Sequence, residues 1–159
     1  LIEWLTKHGI AYSLHEHATT YTARETARVE HINPQTFAKA VGVTWGGRGA
    51  LIVIQASDHV DLVRARREIE APQLRLMTEE ELAEACPGCD VGATPPVGEL
   101  FGLPTYADVS LAQDPEITFH AGSHGWAVRT DRAAWERALQ PVYADLAEHR
   151  DLEPAWIRS

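Results

Sequence analysis

Lys39 stands inside an apolar segment, Phe37-Ala-Lys39-Ala-Val41-Gly-Val43-Thr-Trp45, in a chain that has two lysines against twelve arginines. At period two, Phe37, Lys39, Val41, Val43 and Trp45 share one face of a strand. An ammonium among such neighbours either snorkels past them to water or serves a pocket. In a pocket it suits a phosphate, because a compact point charge anchors that group well. Two further stretches offer backbone chemistry: the glycine- and proline-rich run at 92–98, and a turn at Gly122-Ser123. Glycine loops present amide N–H groups that can hold an anion or an oxyanion. Together the three could hold an ester and position a water. They would act by placement and electrostatics, without a covalent intermediate.

Other chemistries lack their residues. There is no G-x-S-x-G elbow for a nucleophilic serine. Ser123 and His124 are adjacent, and neighbours in a turn rarely form a nucleophile–base pair. Neither a G-x-x-x-x-G-K nor a G-x-G-x-x-G run is present. The eight histidines are scattered. His15 and His17 share a strand face, but no carboxylate or further histidine follows at ligand spacing, so no metal is expected. The two cysteines form Cys86-Pro-Gly-Cys89 at the end of a helical segment, where a thioredoxin-like pair would open one. They read as structural or incidental thiols in a reducing, cytoplasmic setting. No cofactor is expected.

Size and charge narrow the class. One domain accommodates 159 residues, and 45% hydrophobic content supports a packed core. No apolar run approaches the roughly 18 residues of a membrane span. A net charge of −9 argues against a surface that coats DNA or an anionic membrane. It leaves room for a small basic pocket that takes one strand end. The first residue is Leu1, not methionine, so a preceding targeting segment or a longer parent chain stays open.

The elements that must position these residues follow from local signals. Residues 1–8 read as a short helix ended by Gly9, and 11–16 as a strand. Thr22-Ala-Arg-Glu25 is a capping box opening a helix to about His31, and Asn33-Pro34 starts one further turn. The 37–56 stretch is a hairpin turning at 46–49, and Leu51 to Ile54 form a strand buried on both faces. Ser57 or Asp58 caps a helix over about 60–69, with Leu62, Val63 and Ile69 inward and Arg64, Arg66 and Arg67 on a solvated face. A strand at 74–77 precedes a second capping box, Thr78-Glu-Glu-Glu81, and a helix to about Ala85. Residues 90–104 form a shaped loop with short strand pieces. Strands follow at 105–109, 116–119 and 126–129. A closing helix over about 131–149 places Trp135, Leu139, Val142 and Leu146 on one stripe, and 151–159 is a loose tail. Strands outnumber crossover helices, which predicts an α+β fold with a mixed, largely antiparallel curved sheet and helices around it.

At this point the residues resemble a known family, the YbaK and prolyl-tRNA-synthetase-associated domains, which are trans-editing aminoacyl-tRNA deacylases. His17-Ala-Thr-Thr-Tyr-Thr22-Ala-Arg-Glu25-Thr-Ala27 is similar to the family's opening motif. Phe37-Ala-Lys39-Ala-Val resembles its strand with the essential lysine. The segment from Leu74 to Leu82, followed by Gly92-Ala-Thr94-Pro-Pro96-Val-Gly98, resembles its helix and G-x-x-P-P-x-G loop. Phe119-His120-Ala-Gly122-Ser123 resembles its late turn. The four run in family order from about Tyr12 to Leu146. Two departures, Ala-Val after Lys39 and a missing proline before Asp61, bear on substrate choice.

The resemblance implies one editing domain over 1–150 with a tail over 151–159. It implies hydrolysis of the ester that joins a wrong amino acid to the tRNA 3′ end. Lys39, Gly122 and Ser123 would be catalytic, with Lys39 holding the acceptor end. His17, Thr22, Gly92, Thr94, Pro96, Gly98 and His120 would bind substrate. Partners would be the tRNA acceptor end and an aminoacyl-tRNA synthetase. A second reading, a non-catalytic module of the same fold that binds tRNA ends or a synthetase, is held beside it. Lys39 and both glycine turns favour the enzyme, since a scaffold needs neither.

Overall fold

The structure is a computed structural model that describes residues 1–16 and 37–149. The chain opens with α1 (Ile2–Lys7) and β1 (Tyr12–Glu16). The expected hairpin follows as β2 (Ala38–Trp45) and β3 (Arg48–Gln55), paired antiparallel from Ala38 opposite Gln55 to Trp45 opposite Arg48. Its turn is tighter than 46–49. Gly46 and Gly47 alone make it, with φ of 50° and 78°. Two successive positive φ values match the twist of the flanking strands, and glycine adopts both without steric cost. Leu51, Ile52, Val53 and Ile54 are all fully buried, so β3 is covered on both faces. Burial of each such side chain stabilises the fold by roughly 1.5–3 kcal/mol.

The remaining elements are β4 (His59–Val60), α2 (Leu62–Glu68), β5 (Arg75–Leu76), α3 (Glu79–Ala85), β6 (Thr105–Asp108), β7 (Glu116–His120), β8 (Trp126–Asp131), α4 (Arg132–Leu139), β9 (Val142–Ala144) and β10 (Ala147–Glu148). They build a five-stranded sheet in the order β5-β2-β3-β6-β9, a three-stranded sheet β1-β8-β7, and the pair β10-β4. Only β3–β6 and β6–β9 are parallel among the paired strands described. The fold is therefore α+β with mixed, largely antiparallel sheets, as expected. One cluster of buried side chains, centred on Trp135, Phe119 and Leu5, joins the three-stranded sheet to one face of the larger sheet. A second, including Val43, Ile52, Ile54, Leu74 and Leu146, fills the other face under Ala65 of α2.

The Thr78 capping box is present in full. Thr78 Oγ1 accepts from the Glu81 amide at 3.1 Å, and Glu81 accepts from the Thr78 amide at 2.9 Å. Other expectations are corrected. The cap of α2 is Asp61, whose carboxylate accepts from the Arg64 amide, so neither Ser57 nor Asp58 caps it. Val60 belongs to β4, and Val63 is 71% exposed instead of inward. The arginine face is only partly solvated: Arg64 bonds Asp145, and Arg66 donates to the Leu74 carbonyl. Residues 90–104 hold no strand; Gly98–Phe101 is a single 3₁₀ turn. The closing helix stops at Leu139, and Gln140 turns left-handed at φ 53°. Pro141 is the cause, because it offers no amide to the Arg137 carbonyl and its ring would clash there. Val142 leaves the expected stripe for β9 and is exposed. The Thr22 capping box, the Asn33-Pro34 turn and the 151–159 tail lie outside the described residues.

Candidate active site

Lys39 lies opposite Ile54 on β2, and Val41 opposite Ile52. Opposed residues share a sheet face, so the half-buried lysine closes the apolar stripe of the second cluster and has an interaction partner of its own. Just before it, Phe37 forms a parallel bridge with Thr118 of β7. A parallel pair advances in one direction, so Lys39 and His120 both fall two residues beyond that bridge. The Phe37 ring stands edge-on to His120 at 5.3 Å, and His120 in turn to His124 at 5.3 Å. β7 ends at His120, and the Gly122-Ser123 turn begins there.

The two glycine segments meet through backbone hydrogen bonds. The Asp90 amide donates to the Gly122 carbonyl at 2.8 Å, and the Gly122 amide donates to the Ala93 carbonyl at 2.9 Å. Gly122 has φ 92°, which a residue with a Cβ adopts only under strain. His124 adds two ties, from its amide to the Asp90 carboxylate and from its ring to the Val91 carbonyl. Trp135 Nε1 donates to the Pro96 carbonyl at 3.0 Å, which fixes the loop to α4. Gly98 donates to Thr105 Oγ1 at 2.9 Å, and a Cβ there would lie 2.3 Å from the Leu103 carbonyl oxygen.

The sequence-derived site residues therefore separate. His120, Gly122, Ser123, Gly92 and Thr94 belong to segments that meet at the end of β7, and Lys39 lies on the strand that follows the Phe37–Thr118 bridge to β7. Gly92 is exposed and Thr94 buried. Pro96 and Gly98 are buried and bonded into the fold. His17 and Thr22 lie outside the described residues. Sequence reasoning missed Asp90 and His124, which join the two segments. No local signal reveals them, because the partners stand 34 residues apart.

Burial pushes the Cys86 thiol up to about 11, with Cys89 adding to it. Burial also raises Cys89, helped by Asp90. Both thiols are therefore protonated and poor nucleophiles near neutral pH. Among the described residues no three His, Cys, Asp or Glu side chains converge as a metal site. No described helix is long and apolar enough to cross a membrane.

The fold is α+β, with the strand that carries Lys39 tied to β7 through Phe37 and Thr118, and with the two glycine segments joined at the end of β7. The aminoacyl-tRNA editing domain family matches residues 17–138, and the chain belongs to it. Among solved structures, one described as a "putative trans-editing enzyme for prolyl tRNA synthetase" is 28% identical. It has a TM-score of 0.80 over 92% of this chain and 93% of its own. A hypothetical protein at 21% identity superposes with a TM-score of 0.85 over 92% and 98%. One described as a "Putative signal transduction protein" from Marinobacter aquaeolei VT8, at 14% identity and TM-score 0.72, shares the fold over 91% of this chain and 29% of its own. No curated protein sequence matches the chain.

Proposed function

We propose that this chain hydrolyses the ester between a wrongly attached amino acid and the 3′ end of a tRNA. Lys39 anchors a phosphate near the terminal adenosine. The Gly122-Ser123 turn and the start of the 92–98 loop, exposed Gly92 followed by buried Thr94, frame the aminoacyl group and the attacking water. Pro96 and Gly98 shape that loop from within, and His120 supports the turn. His17 and Thr22 shape the site. The Gly122 amide is committed to Ala93, so the developing oxyanion falls to the next amide, that of Ser123.

Water adds to the ester carbonyl carbon and loses a proton to solvent. The tetrahedral intermediate then expels the ribose oxygen, which takes up a proton. Free amino acid and uncharged tRNA result, and no side chain becomes acylated. Residues 1–150 act as one editing domain, in the cytoplasm, alongside a synthetase, with no metal or cofactor.

The observation that carries this reading is the hydrogen-bonded junction of the two glycine segments beside the lysine strand, in a chain of the editing-domain family. The test is a deacylation panel, with Ala, Ser, Cys and Thr on tRNAs for Pro, Ala and others. Release of at least one amino acid well above the buffer rate is expected. Tight binding with no release from any of them would favour the non-catalytic module.

A further inference from the structure

We propose that His124 is a positioning residue: its ring N–H locks the Gly122-Ser123 turn in register with the 92–98 loop. The proposal rests on the deacylase reading of that site. His124 is buried, and Nε2 lies 2.5 Å from the Val91 carbonyl oxygen. A carbonyl only accepts, so Nε2 carries the proton and donates. The His124 amide donates to the Asp90 carboxylate at 3.3 Å. One residue thus grips two consecutive residues of the facing segment, Asp90 and Val91.

The grip supplies what the backbone bonds lack. Across the junction the backbone bonds of Asp90 and Ala93 both go to Gly122, and the loop's other anchors, Trp135 and Thr105, hold it further on, at Pro96 and Gly98. The ring bond to Val91 adds a second point, one residue from Gly92. It also continues the column of rings through His120 to Phe37, the residue just before the strand that bears Lys39. One side chain therefore couples the loop, the turn and the lysine strand. A displacement of about 1 Å in such a site costs about 100-fold in rate.

Glutamine and asparagine separate this role from simple burial of a polar group. The amide nitrogen of Gln reaches roughly where Nε2 lies, whereas that of Asn stops near Nδ1. His124→Gln is expected to keep kcat within about threefold of the parent, and His124→Asn to lose about 10- to 100-fold in kcat with KM little changed. Amide hydrogen exchange at Asp90 and Gly122 should accelerate in His124→Asn and stay slow in His124→Gln, whether or not the protein has activity. In the parent protein, nitrogen NMR of the ring should find the Nε2–H tautomer. Equal losses in both variants, a loss confined to KM, unchanged exchange in His124→Asn, or an Nδ1–H tautomer would each overturn the proposal. If the parent cleaves no mischarged tRNA, the deacylase reading fails, while exchange and NMR still decide the lock. If His124→Asn does not fold, the tautomer and the His124→Gln exchange data decide it.

Discussion

Lys39 ends a stripe that is otherwise apolar, and its surroundings separate function from stability. An ammonium kept only for packing could be shortened to alanine at little loss of chemistry. One that anchors the acceptor phosphate could not. Lys39→Ala is expected to lose most deacylase activity while keeping a cooperative thermal melt; full activity in that variant would remove the lysine from the site. The cysteines lead to the opposite expectation. With Cys86 raised to about 11 by burial and by Cys89, little thiolate exists at neutral pH. Cys86 should resist alkylation until the protein unfolds, and Cys86→Ser with Cys89→Ser should keep the parent rate in chelator. Activity lost in the double variant and restored by zinc would revive a metal mechanism.

At the scale of elements, the segment after α4 is held by carboxylates. Asp108 Oδ1 accepts from the Leu146 and Ala147 amides at 2.9 and 3.0 Å, and buried Asp58 faces His149 Nδ1 at 2.8 Å beside the β4–β10 pair. Partial burial disfavours the charged imidazole, but Asp58, with Asp108 and Asp145 behind it, outweighs that and raises the His149 pKa above 6.5. The protonated form is therefore the one that the fold favours. Its stabilisation is complete below the unfolded-state pKa of about 6.5 and is lost as pH rises through the higher folded value. His149→Gln should accordingly lower Tm most at acid pH, with the gap to the parent narrowing as pH climbs past neutrality. A gap that widens with pH would contradict the pairing.

For the whole molecule, a net charge of −9 repels the body of a polyanion, and two of the three α2 arginines are engaged within the fold. Recognition should be end-on, through the single-stranded 3′ end. One to three phosphate contacts on a single strand give a log K against log salt slope no steeper than about −3. Salt titrations with intact tRNA and with an acceptor-stem mimic should show similar shallow slopes. A slope of about −6 or steeper with intact tRNA alone would reveal an extended basic surface.

The sequence by itself determined what depends on a few neighbouring residues. A turn within 46–49, the Thr78–Glu81 cap and the buried run from Leu51 to Ile54 follow from φ restrictions, cap chemistry and period, all of which act over a handful of residues. The ordered motifs around Lys39, Gly92 and Gly122 made the family legible as well. Even a local signal can be outweighed: the apolar stripe beyond Leu139 suggested more helix, although Pro141 forbade it. Tertiary structure alone decided the parallel pairing of β9 with β6, the Asp108 and Asp58 clamps on the segment that follows β9, and the grip of His124 on Asp90 and Val91. Such contacts join residues tens of positions apart. Their free energy depends on a topology that the whole core selects, and no single segment encodes it.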